Sequence, residues 1–475
     1  MLEVIAEPYP AVGLLLALLT GLLVRNLLAR VSQSLPQPPC ISGWIPWLGA
    51  ALEMGKAPLQ FIEQARQKHG PVFTVVAAGN RLTFLSGDEG VSAFFTSKQV
   101  DFQQAVQKPV QYTASIKKEN FFKSHGAIHE MIKLRLSQNR LNQHMAKLCT
   151  EFSSHLDQLS HQGTLDLYKL VQCVMYPSVV DTLFGKGVCP TSKDTIKEFE
   201  DHFRTFDEGF EYGSQIPEWF LKDWSQSKQW LLNLFKNIVA EAEESKPAED
   251  SAKTLLHHLL DTLKGNSTYN NSLLLLWASQ ANANPITFWS LVFILSEPEV
   301  YEKAMSEITS VFGKGAGQHH LNMTEAELKR MPFVKWCILE AIRLRSPGAI
   351  TRKVVQPLQV YNYEIPSGDM LMVSPYWLHR DPKHFPEPDK FKPERWQKAH
   401  LEKNAFLEGF VAFGGGKYQC PGRWFALMEI HMLVVLILYK YEFQLLDPVP
   451  KQSNLHLVGT QQPDGPFRVR YKHRE

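Results

Sequence analysis

The hydrophobic positions of this chain change regime along its length. From Ala11 to Val24 the run AVGLLLALLTGLLV carries no charge, and Leu27 and Leu28 extend it past Arg25. A spanning helix needs about 20 apolar residues, so the run predicts a membrane anchor completed by Tyr9 and the Leu27/Leu28 turn. The alternative is a cleaved signal peptide. Against it, Glu3 and Glu7 stand where a basic leader would be, and Arg25 and Arg30 follow the run, which places them on the cytosolic side. Leu35-Pro36-Gln37-Pro38-Pro39 then reads as a stiff connector, because prolines fix φ and remove donors. The predicted organisation is an anchor in 1–30, a proline-rich linker in 31–40 and one large domain in 41–475.

Inside that domain, VFTVVAAGNRLTFLSG, between Val72 and about Phe95, has β-branched and aromatic runs broken by Gly79-Asn80, which predicts a hairpin and a small sheet. From about Leu141 to Phe312 apolar residues recur at helical spacing, as in EFSSHLDQLS and SKQWLLNLFKNIVAEAEE. The run Leu273 to Ile294, LLLLWASQANANPITFWSLVFI, is apolar on nearly every side, so it is a second span or a helix through a large core. Gln280, Asn282, Asn284 and Pro285 are costly in lipid and favour the core; placed mid-helix, they also mark a site. In the last third, HRDPKHFPEPDKFKPERW has too many prolines for continuous helix and predicts a packed meander. RKVVQPLQVYNYEIP and FRVRYK are strand-like. The class is mainly α with minor β-sheets.

Composition adds limits. A chain of 475 residues, 44% hydrophobic and 21% charged, can bury a large core and is not disordered. Lys+Arg total 50 against Asp+Glu 48, so no strong overall field points to nucleic acid. Cys40, Cys149, Cys173, Cys189, Cys337 and Cys420 include no CxxC and no zinc spacing, which fits reduced thiols facing the cytosol. The sequons at Asn266, Asn270 and Asn322 are then expected to go unused.

A lone cysteine such as Cys420 is ordinarily a small buried hydrophobe. Its setting here differs. Phe413-Gly414-Gly415-Gly416-Lys417-Tyr418-Gln419-Cys420-Pro421-Gly422 is a glycine-rich loop running into the apolar stretch RWFALMEIHMLVVLILYKY. Glycines let backbone approach a flat ligand, and a helix N-terminus favours a thiolate. The segment resembles the haem-binding loop of cytochromes P450, Phe-x-x-Gly-x-Arg/His-x-Cys-x-Gly, which Phe413, Gly416, Cys420 and Gly422 match. Tyr418 stands at the usually basic position and puts one propionate contact in doubt. Glu340-Ala341-Ile342-Arg343 sets an acid and a guanidinium on one helix face. It is similar to the family's Glu-x-x-Arg, which implies a buried structural network with Arg395 of Pro393-Glu394-Arg395-Trp396. Arg352 is by the same resemblance a candidate propionate contact.

The family's central helix usually carries an acid and a threonine that relay protons. At those positions this chain has Ala281 and Asn282, within Ala278-Ser279-Gln280-Ala281-Asn282 and ahead of Pro285. An amide can donate a hydrogen bond but cannot relay a proton as a hydroxyl does, so Asn282 is a catalytic candidate with an altered proton route. The pattern Trp-Ala-Ser-x-x-Asn-x-x-Pro resembles the branch holding the sterol 7α-hydroxylases, sterol 12α-hydroxylase and prostacyclin synthase. The resemblance spans nearly the whole chain. It implies a cytochrome P450 fold whose haem b iron is bound by Cys420, and 7α-hydroxylation of oxysterols, 24-hydroxycholesterol foremost, in cholesterol catabolism to bile acids. It further implies dioxygen as co-substrate, NADPH electrons through a cytochrome P450 reductase, since no Gly-x-Gly-x-x-Gly is present, and an endoplasmic reticulum membrane location. Phe102 to Phe122 and Phe206 to Trp224 are expected to form irregular, mobile entrances for the sterol. Two rivals remain: an isomerase like prostacyclin synthase, needing neither dioxygen nor reductase, and a non-catalytic haem- or sterol-binding membrane protein.

Overall fold

The computed structural model describes Thr20 and residues 35–45, 47–245, 247, 249–265, 267–313, 321, 323–403, 405–453 and 459–474. The predicted anchor, apart from Thr20, the first part of the linker, and the sequon asparagines Asn266 and Asn322 lie outside the described residues. Asn270 lies within a helix, is buried, and donates to the carbonyl of Ala114 at 2.8 Å, so that sequon offers no acceptor. All six cysteines are free thiols.

The larger sheet has the strand order Cys40–Ile41, Val72–Ala77, Asn80–Leu85, Met370–Val373, Ile350–Val354 and Val100–Asp101. Its second and third strands are the predicted hairpin, with Val72 opposite Leu85 and Ala77 opposite Asn80. Ala78 and Gly79 turn it with φ of 48° and 76°, the handedness that matches strand twist. The strand stops at Leu85, short of the expected Phe95. Gly87–Thr96 is helical instead, with Asp88 and Glu89 in its first turn, where the helix dipole favours acids.

Between Leu141 and Phe312 the helical expectation holds with one correction. Gln162–Asp166 is a strand paired with Arg468–His473, which also pairs with Tyr441–Leu445. Asp166 then caps the next helix, Leu167–Leu183, by accepting from the amide of Tyr168 at 2.9 Å. Phe102 to Phe122 is likewise not irregular: it lies in the helices Phe102–Ala114 and Lys118–Arg135. Asp101 accepts from the amide of Gln104 at 2.7 Å and starts the first of these. Phe206 to Trp224 does break into short pieces, a turn of helix at Phe210–Gly213 and a 3-10 turn at Glu218–Phe220.

The long apolar run does not make one helix. It forms Thr268–Gln280 and Ala283–Ser296, with the break at Ala281-Asn282. Pro285 has no N–H, so the carbonyl of Ala281 loses its partner four residues on. Leu273, Leu276, Phe288, Trp289, Leu291 and Val292 are buried in the main core, and among the described residues no helix is long and apolar enough to cross a membrane. The run is therefore core, not a second span. Against it pack the helices Pro332–Arg345 and Arg423–Lys440, the latter buried from Trp424 onward apart from Ala426.

Candidate active site

The cysteine loop is closed by its own backbone. The amide of Cys420 donates to the carbonyl of Phe413 at 2.8 Å, and that of Gly414 to Val411 at 2.8 Å. Gly414 and Gly416 turn the chain with φ of 71° and 65°, values that side chains rarely tolerate. Gly422 is the N-cap of the helix Arg423–Lys440. The guanidinium of Arg423 reaches back to the carbonyl of Cys420 at 2.9 Å. Burial pushes the Cys420 thiol up, while the amides of Gly422 and Arg423 and the charge of Arg423 pull it down. The sulfur residue keeps partial accessibility although protein surrounds it, as befits an atom on the wall of an internal cleft.

Beside the loop lies a cluster of rings and cations. Tyr418 stacks on Phe102 at 4.8 Å and lies 5.8 Å from His125 and 5.9 Å from His129. Arg352 is buried, with its guanidinium 4.9 Å from the rings of Phe94 and Phe102. The one hydrogen bond of its guanidinium among the described residues goes to the carbonyl of Thr351 at 2.8 Å, and no carboxylate there pairs with it. Burial accordingly lowers Arg352 to about 10. His125 is lowered to about 4, by burial first and then by His129 and Lys417. His129 donates to the carbonyl of Gln419 at 3.2 Å. Neither histidine was singled out in the sequence; their four-residue spacing on one helix face was the available signal.

Glu340, Arg343 and Arg395 come together as expected. The carboxylate of Glu340 accepts from Arg343 at 2.9 and 2.8 Å, from Arg395 at 2.8 Å, from the amide of Lys392 at 3.0 Å and from the indole of Trp396 at 3.0 Å. Arg343 also donates to the carbonyls of His379 and Pro388, both at 2.6 Å, and of Lys390 at 3.1 Å. Glu340 and Arg343 are wholly buried. His379, absent from the sequence reading, carries this network to the cysteine loop. Its Nδ1 donates to the carbonyl of Arg343 and its Nε2 accepts from the amide of Val411, each at 3.1 Å. Burial holds it neutral by lowering it to about 3.

Asn282 stands apart, and among the described residues no hydrogen bond joins it to the cysteine loop. Its Oδ1 accepts from the amide of Thr460 at 2.9 Å. Ala278 and Asn282, one turn apart, are exposed although Leu276 and Ala283 beside them are buried. An accessible face in mid-core lines a cleft.

The sequence pattern of the Cytochrome P450 family matches residues 38–469. This chain belongs to the cytochrome P450 family. The 24-hydroxycholesterol 7-alpha-hydroxylase of Homo sapiens is 51% identical over 446 residues, 93% of this chain and 95% of that protein. The protein of the same name from Mus musculus is 50% identical over 457 residues, 96% and 97% of the two chains. The solved structure "Retinoic acid bound cyanobacterial CYP120A1" superposes with a TM-score of 0.77 at 20% identity, covering 93% of this chain and all of that one, and shows the fold alone. As a cytochrome P450 the chain is a monooxygenase, which implies haem, dioxygen and electrons from a redox partner. The residues present fit haem: a cysteine on an interior wall, a buried guanidinium with no carboxylate paired to it among the described residues, and a glycine cradle in which a Cβ on Gly415 would sit 3.0 Å from the ring of Phe95.

Proposed function

We propose that this P450 hydroxylates oxysterols at the 7α position, with 24-hydroxycholesterol the preferred substrate, in the breakdown of cholesterol to bile acids. The observation that carries this reading is identity of 50–51% across nearly the whole length of two 24-hydroxycholesterol 7α-hydroxylases. The cofactor is haem b, whose iron Cys420 would hold. When bound, a thiolate-ligated haem would supply the dioxygen chemistry of hydroxylation.

The chain's own residues do the rest. The Cys420–Phe413 backbone bond and the amides of Gly422 and Arg423 fix the sulfur and share its negative charge. Phe413, Gly416 and Gly422 shape the cradle. Arg352, with His129 and His125 nearby, would meet the propionate groups and offset its own burial by doing so. Glu340, Arg343 and Arg395 hold the meander, and His379 transmits that rigidity to Val411. The oxygen of Asn282 is engaged by Thr460, which leaves its NH2 as the group able to donate. It can orient an acceptor or a water but cannot relay a proton as a hydroxyl does.

NADPH supplies the electrons through a membrane-bound P450 reductase. The protein belongs to the endoplasmic reticulum membrane, with an anchor in 1–30, a linker in 31–40 and the catalytic domain in 41–475. Supporting a membrane-facing domain, Trp44, Trp47, Trp219 and Phe220 are 85%, 70%, 75% and 61% exposed, and exposed aromatics favour membrane interfaces.

The test is turnover of 24-hydroxycholesterol with NADPH and reductase, recording the carbon-monoxide difference spectrum on the same sample. A 7α-hydroxylated product with a thiolate spectrum is expected. The spectrum without product overturns the substrate, and NADPH-independent turnover of an endoperoxide would replace it with the isomerase. A haem-loaded, folded protein lacking the thiolate spectrum overturns Cys420.

A further inference from the structure

One buried carboxyl group has no part in that chemistry. Asp207, near the end of the helix Ile196–Glu208, is buried where three separate segments meet. Its Oδ1 accepts from the indole of Trp277 at 2.9 Å and its Oδ2 from the side-chain amide of Gln462 at 2.8 Å. Trp277 is on the first half of the broken central helix, one turn before Ala281, and lies flat on Phe210 at 3.7 Å. Gln462 follows the two residues that grip the second half: Thr460 donates to Asn282, and the carbonyl of Gln461 accepts from the indole of Trp289 at 2.7 Å. One side chain therefore joins the segment beside Phe210, the central helix and the C-terminal loop 459–462, all next to the face that lines the cleft.

Glu340 shows how this protein surrounds a buried acid with positive charge: two guanidinium groups answer it. Asp207 receives neutral donors, and among the described residues no cation pairs with it. We propose that Asp207 is a positioning residue for sterol exchange, a clasp that holds Phe210 and its helix against the central helix and the loop 459–462, and that loosens when the carboxyl group ionises. The inference rests on the oxysterol reading for the identity of the cargo; the clasp itself does not.

Two proton states follow from the geometry. Protonated, Asp207 keeps Trp277 on one oxygen and donates from the other to Gln462, whose amide turns its oxygen inward. Ionised, it holds both donors but buries a charge. Burial pushes Asp207 up to about 7; Trp277 and Gln462 pull it down, and Glu208 and Glu211 push it up. From the helix Leu167–Leu183, Tyr168 and Tyr176 face the same carboxyl group and are kept neutral, since burial raises both well above the usual phenol range. A released Asp207 in water returns to the ordinary value of 3.8. The clasped state thus binds the proton more tightly than the open one. Rising pH favours opening between about 4 and 7, by up to about tenfold per unit, and has no further effect once both states are ionised.

Asp207→Asn copies the neutral clasp, its oxygen toward Trp277 and its NH2 toward Gln462, while Asp207→Leu abolishes it. The experiment is amide hydrogen exchange of residues 199–213 in full-length haem-loaded protein without substrate, from pH 6 to 8 and corrected for intrinsic rates. Release of 24-hydroxycholesterol is followed in parallel. In the unmodified protein, opening and release should rise about fivefold from pH 6 to 7 and only about twofold more by pH 8. Asp207→Asn should be slow and flat, Asp207→Leu fast and flat. If Asp207→Leu does not fold, Trp277→Phe keeps the stacked ring, removes one donor, and should move the transition to higher pH. A flat profile in the unmodified protein, or a pH dependence that survives Asp207→Asn, overturns the clasp. Exchange as expected in a protein that does not bind 24-hydroxycholesterol supports the clasp and overturns the sterol reading.

Discussion

Replacing Glu340 by Gln should cost this protein a large part of its stability while changing the shape of one side chain hardly at all. Oε1 accepts from Arg343, Arg395 and the amide of Lys392, and Oε2 from Arg343 and the indole of Trp396. A glutamine keeps one oxygen, so in its better orientation two of these donors face an NH2 group, and both guanidinium groups lose their counter-charge. Breaking a buried ion pair by removing one partner costs about 3–5 kcal/mol, against a total stability of about 5–15 kcal/mol. At about 1.4 kcal/mol per factor of ten, the folded-to-unfolded ratio should fall by roughly 150- to 4,000-fold. Urea denaturation followed by circular dichroism and by the thiolate spectrum together measures this. Arg395→Met should cost less than Arg343→Met, because Arg343 also holds the carbonyls of His379, Pro388 and Lys390. A Glu340→Gln protein within about 0.5 kcal/mol of the unmodified one, the usual range of a surface change, would refute the reasoning.

Three further substitutions probe the cleft. Arg352→Leu should fold, since it removes a buried cation that has no carboxylate partner among the described residues, but retain haem poorly in dilution assays; unchanged haem affinity would take the propionates away from Arg352. Gly459→Ala places a Cβ 2.5 Å from Oδ1 of Asn282, closer than van der Waals contact allows, and should raise peroxide release per NADPH consumed while leaving the thiolate spectrum intact. Asn282→Ala should slow hydroxylation and uncouple it in the same way, and unchanged coupling would remove Asn282 from the chemistry.

Local chemistry made much of this molecule legible. The hairpin at Ala78-Gly79, the meander, the cysteine loop and the Glu340–Arg343 pair each depend on neighbours in sequence, where proline, glycine and helical spacing act directly. What was missed depends on long-range partners. The strand Gln162–Asp166 exists because Arg468–His473 offers an edge some 300 residues later. The mixture of aromatic and polar residues from Phe102 to Phe122 hides a helix, which Asp101 starts and in which Phe102 stacks on Tyr418. The break after Gln280 is half visible in the sequence: Pro285 argues against a lipid span, but its deeper effect is on the carbonyl four residues back. His379 carried no local signal, since its two partners, Arg343 and Val411, lie 36 and 32 residues away on opposite sides.

Three buried charged side chains, Arg343, Arg352 and Asp207, separate structure from function more sharply than any motif does. In the sequence all three are charged groups in apolar surroundings. Arg343 is fully answered by the protein, by a carboxylate and three carbonyls, so nothing further can bind to it and its work is to hold chain together. Arg352 is desolvated but left with one carbonyl and two aromatic faces, a cost that only an added anion would recover. Asp207 has enough hydrogen bonds to stay buried as an acid and too little positive charge to stay buried comfortably as an anion. Full satisfaction marks scaffold, an unmet charge marks a binding site, and satisfaction in one protonation state marks a part that can move. The haem cradle at Arg352 and the clasp at Asp207 both follow from that distinction, and haem affinity tests the one while the pH profile of exchange tests the other.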